Sequence, residues 1–236
     1  MNSSELKGYL TGLIFGDARV DNGVTKRALE IKSVYKDFID KIKDDLESCS
    51  QFSIDVQHKD EYTSNDGVHH KECWILRIKA HPYFNKKYHH FYDDYRHRIA
   101  SKESLNWLTA NGLANWYMSD GYVCLVGKTK GCVYNRRVDI CTDRYSLNTV
   151  VKMQEMLLNK FNIQTTINKR GKLYRLRIKQ NSYENFINII KPYIVSSMMY
   201  KLYLGYEQQP KWMSDDMWDF QKSLSSAIAL TSKVEG

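Results

Sequence analysis

Proline is scarce, at three residues in 236, and glycine numbers only twelve, so neither a collagen-like nor a low-complexity disordered chain fits. No apolar run approaches the roughly 18 residues that a membrane-spanning helix needs. The N-terminus, MNSSELKGYL, lacks the basic-then-apolar layout of a signal peptide, which points to an intracellular protein. Five cysteines, an odd number, stand at 49, 73, 124, 132 and 141 with no CxxC spacing, which argues against a disulfide framework or a zinc ribbon. His58, His69, His70 and Cys73 carry zinc-ligand chemistry, but solvated loop histidines are the commoner reading of such a stretch.

What the chain has in excess is positive charge, and it is unevenly placed. Residues 1–100 hold 16 basic and 16 acidic side chains, whereas residues 101–200 hold 15 basic against 6 acidic, within a net charge of +8. A basic region beside a neutral one suggests a polyanion partner.

The sequence also repeats itself. Leu76-Arg77-Ile78-Lys79 recurs as Leu176-Arg177-Ile178-Lys179. Gly16-Asp17-Ala18 faces Ser119-Asp120-Gly121 further upstream. Each unit reads as an apolar helix (5–17, then 104–120, with Ser104 as N-cap), a strand pair (18–22 with 27–33, then 122–127 with 133–142) and an amphipathic helix (35–48, then 145–160). A second hairpin follows (52–59 with 72–80, then 163–169 with 172–179), and a last helix closes the unit (82–97, then 182–191). The predicted plan is αββαββα, twice: an α+β fold of two pseudo-symmetric units, 1–100 and 101–205, each with an antiparallel sheet. The segment 206–236 stands apart, and its Asp215, Asp216 and Asp219 make it a poor candidate for contact with a polyanion.

Strand alternation predicts which residues leave the core. Leu29, Ile31, Val138, Ile140, Leu176 and Ile178 point inward. Ala28, Glu30, Lys32, Arg137, Asp139, Arg175, Arg177 and Lys179 point outward. Arg19, Lys26, Arg77 and Lys79 join them in the first unit. In the second, Lys128, Lys130, Arg136, Lys169, Arg170 and Lys172 are added as further candidates. These side-chain types grip phosphates and read base edges, so they form the predicted nucleic-acid surface.

The sharpest feature is the pair of first helices, Leu10-Thr11-Gly12-Leu13-Ile14-Phe15-Gly16-Asp17 and Leu113-Ala114-Asn115-Trp116-Tyr117-Met118-Ser119-Asp120. Both are apolar and both end in an acid. The C-terminus of a helix already carries partial negative charge, so a carboxylate there is at odds with its setting unless a cation is bound. Gly8, Gly12 and Gly16 recur every four residues and form a smooth stripe on which another helix backbone can lie close. These helices resemble the two motifs of the LAGLIDADG homing endonucleases, in their single-chain form, and the likeness runs from about residue 5 to about residue 205. The resemblance implies LAGLIDADG helices at a central interface and saddle-shaped sheets along double-stranded DNA. It implies a monomer, a metal-dependent phosphodiester hydrolase, and an asymmetric target of roughly 20 base pairs cut to leave short 3′ overhangs. Asp17 and Asp120, with the carbonyls of Gly16 and Ser119, would hold Mg²⁺, with Mn²⁺ an alternative. Lys201 matches the family's basic residue in the second unit, and His97 is the expected counterpart in the first. Asn115 and Ser119, standing where the first motif has Gly12 and Gly16, imply a looser helix pair.

The resemblance leaves two other roles open. One is a maturase that binds intron RNA, with or without cleavage. The other is a DNA-binding regulator, in which the acids would normally be lost. Host compartment is equally open between organelle, bacterium and phage-infected cell.

Overall fold

A capping box opens the first helix. The Asn2 side chain accepts from the backbone N–H groups of Ser4 and Glu5, and Glu5 reaches back to the Asn2 N–H at 2.8 Å. The computed structural model describes residues 1–21, 27–49, 51–126 and 135–202, with backbone alone at 124–126 and 135–136. In it this helix is α1 (Ser3–Phe15), and every residue from Gly8 to Phe15 is buried. A helix that is apolar all round belongs in a core, and α1 lies at the centre of the molecule.

The first unit continues as β1 (Arg19–Val20), β2 (Leu29–Ser33), α2 (Lys36–Glu47), β3 (Ile54–Lys59), β4 (Tyr62–Thr63), β5 (His69–His70), β6 (Cys73–Ile78) and α3 (Pro82–Lys87). The second runs α4 (Lys102–Trp107), α5 (Ala110–Asp120), β7 (Gly121–Val126), β8 (Asn135–Cys141), α6 (Leu147–Phe161), β9 (Thr165–Arg170), β10 (Leu173–Ile178) and α7 (Tyr183–Ile190). Two antiparallel four-stranded sheets result, ordered β1-β2-β6-β3 and β7-β8-β10-β9. The same strand order in both makes the fold pseudo-symmetric. One hydrophobic core joins them through α1 and α5. Among the described residues, no helix is long and apolar enough to cross a membrane.

Local chemistry explains where the elements stop. In α2, Phe38, Ile39, Ile42 and Leu46 face the core, Lys36–Asp40 and Lys43–Glu47 pair along its outer side, and Lys41–Asp45 pairs on the flank that meets Tyr9 of α1 and Asn111 of α5. Ser146 caps α6, and Asn162 ends it in the left-handed conformation at φ 54°.

Four features depart from the sequence reading. The single helix expected at 104–120 is broken at Leu108, because the Thr109 side chain caps Gly112 N–H and starts α5. Ser101, not Ser104, caps α4. The helix expected over 82–97 ends at Lys87 and yields to a tight loop closed by a Tyr92–Arg98 bridge, with Arg96 at φ 67°. A small extra hairpin, β4–β5, turns at Gly67 with φ 83°.

Strand alternation holds, but Ala28, expected outside, is buried, and Asp139 keeps to the outer face yet is buried there beneath its neighbours. The zinc arrangement at His58, His69, His70 and Cys73 does not form. Cys73 is buried, whereas His58 lies on the exposed face, bonded to Glu72 at 2.7 Å, and Tyr62 stacks on His70. Lys26, Lys128, Lys130, the Arg136 side chain and the segment 206–236 lie outside the described residues.

Candidate active site

The site is made by how closely α1 and α5 approach. A Cβ added to Gly12 would lie 1.8 Å from the Gly112 carbonyl oxygen, and one added to Gly112 would lie 2.1 Å from that of Gly8. At Gly16 it would meet the Ser119 Cβ at 2.5 Å. The pair is therefore tightly fitted, which corrects the expectation drawn from Asn115 and Ser119. The second motif supplies its own glycine at 112, out of register with the first motif's stripe.

This packing brings the two acids into one electrostatic field. Asp120 is mostly buried at the end of α5, and its carboxyl is raised to about 7 by burial first and by Asp17 second; Arg144, Arg98 and Lys201 oppose the rise. Asp17 lies just past the α1 C-cap, exposed, with Arg144 Nη2 3.5 Å from its Oδ1. A carboxyl whose charge is disfavoured by burial and by a second acid is one that a cation could stabilise. The Ser119 hydroxyl is buried with no hydrogen-bond partner among the described residues. Among those residues, no cluster of three or more metal-binding side chains occurs. Two carboxylates supplemented by carbonyl, water and phosphate oxygens suit Mg²⁺, which keeps several waters and takes few protein ligands.

Two cations cap the motif helices. Lys201 is buried and donates to the Met118 carbonyl at 2.5 Å. Burial lowers its ammonium to about 8 against the pull of Asp17 and Asp120. Tyr117 of α5 holds the Lys201 carbonyl at 2.8 Å, and Tyr183 holds that of Leu202 at 3.1 Å. In the first unit the same place belongs to Arg98. Its guanidinium donates to the carbonyls of Ile14 at 2.5 Å, Gly16 at 2.7 Å and Ala18 at 2.7 Å. Burial works against the Arg98 charge, but Tyr145, Tyr92 and Asp120 beside it outweigh that, and its pKa is raised.

His97, expected here, instead points outward. Its side chain is 75% exposed and pairs with Asp93 at 3.2 Å. Past the turn at Arg96 the neighbouring side chains diverge: His97 goes to Asp93 and solvent, and Arg98 goes to the end of α1. A spacing signal was present: Arg98 precedes Lys201 by the same 103 residues that separate Asp17 from Asp120. Arg144 had no such signal.

Of the predicted nucleic-acid surface, Arg19, Lys32, Arg77, Lys79, Lys169, Arg170, Lys172 and Lys179 are exposed. Glu30 is half-buried and bonded to Arg19 at 2.8 Å. Asp139 is covered by Arg177, Arg137 and Tyr122, and Arg175 is held by Asp143.

Curated relatives share part of this chain. DNA endonuclease I-ChuI of Chlamydomonas applanata is 32% identical over 100 residues, 40% of this chain and 43% of that protein. Probable intron-encoded endonuclease 1 of Wickerhamomyces canadensis is 30% identical over 134 residues, 55% of this chain and 54% of that one. Cytochrome b mRNA maturase bI2 of Debaryomyces hansenii is 30% identical over 143 residues, 59% of this chain and 49% of that one. The chain thus spans about half the length of these relatives. Among solved structures, the homing endonuclease I-WcaI bound to its DNA recognition sequence superposes with a TM-score of 0.72 at 23% identity, covering 85% of this chain and 86% of that one. At that identity the likeness is one of fold. A family model described as the LAGLIDADG DNA endonuclease family matches residues 7–186, a span that holds both motif helices and both acids, and the chain belongs to that family.

Proposed function

We propose that this chain is a metal-dependent, site-specific DNA endonuclease that cuts both strands of one asymmetric target. The observation that carries the reading is the pairing of Asp17 and Asp120 at the ends of two glycine-packed helices, where the Asp120 carboxyl is raised to about 7. Each acid serves one strand, and residues 1–100 and 101–205 each hold one half-site through the outer face of their sheet. Two half-sites one helical turn apart make a target of roughly 20 base pairs.

Asp17 and Asp120 would hold the divalent metal, Mg²⁺ or Mn²⁺, with the Ser119 carbonyl. The Gly16 carbonyl already accepts from Arg98, so its place in the ligand set depends on its second lone pair. A metal bound there supplies charge neutralisation and an activated water for in-line displacement at phosphorus. The protein's own part is positional and electrostatic. Arg98, with the Tyr145 hydroxyl 3.2 Å from the Phe15 carbonyl, fixes the end of α1 and so the aim of Asp17. Lys201, tied to Met118, fixes the end of α5 and keeps its ammonium in the field of both acids, where it would offset negative charge developing on the phosphoryl oxygens. Burial keeps bulk water from screening both cations. We place this activity inside the cell, on intron-type insertion sites, as the names of the relatives suggest.

The test is cleavage of a duplex carrying the gene's own insertion site with the insertion removed. Wild type in Mg²⁺ should give a double-strand cut with 3′ overhangs, and Asp120→Asn should not. Because one relative is named an mRNA maturase, the intron RNA is the parallel arm. Tight binding of RNA with no DNA cut under any metal would replace the nuclease reading with a maturase.

A further inference from the structure

The two sheets carry equivalent rows of cross-strand neighbours on their outer faces, and the rows differ in how their arginine is held. In the first sheet the row is Arg19, Glu30, Arg77, Asp55; in the second it is Tyr122, Asp139, Arg177, Thr166. In the first, Glu30 bonds Arg19, and Arg77 is 52% exposed with its Nη2 3.6 Å from Asp21. In the second, the Asp139 side chain is 2% exposed and sits at the centre of a fixed network. It accepts from Arg177 Nε at 2.8 Å and Nη2 at 3.3 Å, and from the Tyr122 hydroxyl at 2.6 Å; Arg137 Nε stands 3.4 Å away.

That pattern dictates what remains free on Arg177. A guanidinium offers five N–H donors in one plane. Asp139 takes the Nε edge, and what is left is the end formed by Nη1 and Nη2. That end is the fork that meets the O6 and N7 of guanine. The Asp139 carboxylate is too enclosed to reach a base itself. Arg175 is bonded to Asp143 at 3.0 and 2.6 Å, and its side chain is only 16% exposed. It closes the flank of the network and offers little to a ligand. Arg177, 34% exposed, and Arg137, 38% exposed, are the members that reach the surface, and Arg177 is the one clamped edge-on by the carboxylate.

We propose that Asp139 is a positioning residue that aims Arg177 end-on at a guanine in the second half-site, whereas Arg77 in the first unit has no such buttress and discriminates weakly at the equivalent base pair. The inference rests on the DNA-endonuclease reading and adds a specificity-determining pair to it. Preorganisation is the physical reason: an arginine already fixed loses less side-chain entropy on contact, and a fixed fork cannot swing to a different acceptor.

The experiment is selection from a duplex pool with roughly 20 randomised base pairs, bound in Ca²⁺ by wild type, Arg177→Lys, Asp139→Asn and Arg77→Lys. Wild type should enrich one guanine whose preference falls about ten-fold or more in both Arg177→Lys and Asp139→Asn, the other positions keeping theirs. Arg77→Lys should leave that guanine unchanged. An Arg177→Lys profile identical to wild type overturns the proposal. Loss in Arg177→Lys but full retention in Asp139→Asn overturns the positioning role. Arg177→Lys leaves Asp139 with Tyr122 and Arg137, so it keeps the test decisive if Asp139→Asn fails to fold. A wild-type pool with no sequence enrichment at all overturns the endonuclease reading together with the inference.

Discussion

Arg98 and Lys201 are counterparts: each donates to the terminal carbonyls of one motif helix, Arg98 to Ile14, Gly16 and Ala18, Lys201 to Met118. They are not chemically equal. A guanidinium keeps its charge at any accessible pH, whereas a buried ammonium titrates. The two halves of the site therefore carry one permanent and one conditional cation.

The placement of Arg98 rather than His97 has a direct mutational consequence. Arg98→Ala strips three carbonyls of their donor in a partly buried setting. Each lost partner costs about 1–3 kcal/mol, so the variant should melt well below wild type and lose cleavage by about a hundred-fold or more. Arg98→Lys should restore part of both. His97→Ala removes only an exposed pair and should stay within about 0.5 kcal/mol of wild type. Thermal melts and single-turnover cleavage of all three variants check this; a cleavage defect in His97→Ala with Arg98→Ala active would reverse the assignment.

The raised Asp120 carboxyl links stability to pH and to metal. Its folded value is about 7, against 3.8 for the unconstrained group. The folded state thus holds the proton more tightly between those values, and stability falls as pH climbs from about 4 to about 7, then levels. Keeping the carboxylate ionised in place costs of order 2–4 kcal/mol above pH 7 without a cation. Asp120→Asn should therefore raise the melting temperature at pH 8 in EDTA by several degrees, with the gap vanishing near pH 4. Mg²⁺ should stabilise wild type and leave Asp120→Asn unmoved. A variant that melts below wild type at pH 8 in EDTA would mean the carboxylate is satisfied without metal.

Much of this site was legible because two independent patterns coincide. Asp17 and Asp120 end apolar helices 103 residues apart, and Leu76–Lys79 repeats as Leu176–Lys179 at a similar spacing. Periodicity placed the sheets to within a residue or two, since Leu29, Ile31, Val138, Ile140, Leu176 and Ile178 all fill the core. What escaped was set by particular side-chain partners, some local and some across the fold. The break at Leu108 arises from a threonine side chain competing for Gly112 N–H. The burial of Asp139 comes from arginines and a tyrosine on neighbouring strands. The Arg98 assignment turns on a loop whose left-handed residue, Arg96, is of a type that rarely adopts that conformation. Pattern alone reports an alternation; it does not report which partner crosses to meet it.

The pH dependence of cutting should be bell-shaped and unequal between strands. Asp120 must be ionised to take metal, so activity should rise on the acid side through or below about 7, since metal competes with the proton. Lys201, at about 8, loses its charge as pH rises further, and Arg98 does not. Above pH 8, therefore, the strand served by Lys201 should be cut more slowly and nicked duplex should accumulate. Lys201→Arg should suppress that accumulation. End-labelled substrate, followed strand by strand from pH 6 to 10, reads this directly; equal slowing of both strands would show that the two cations are not the source of the alkaline limb.

Among the described glycines, Gly12 is the one where an added Cβ would come nearest to a neighbour, and its substitution tests whether that approach holds the acids in register. A Cβ there would stand 1.8 Å from the Gly112 carbonyl oxygen, which is backbone and cannot rotate away. Gly12→Ala must separate α1 from α5 along their whole contact, and since overpacking a well-fitted core costs about 1–3 kcal/mol or more, a loss at the upper end is expected. The separation also moves Asp17 relative to Asp120, so the folded fraction should cut poorly while DNA binding through the outer sheet faces survives. Because the acids then repel less, the Asp120 carboxyl should titrate closer to its ordinary range, measurable by carbon NMR of the side chain. Ser119→Ala, which deletes a buried hydroxyl that has no partner among the described residues, is the control at the same interface and should be neutral or slightly stabilising. Wild-type cleavage in Gly12→Ala would mean that the helix pair is a scaffold whose spacing the chemistry does not feel.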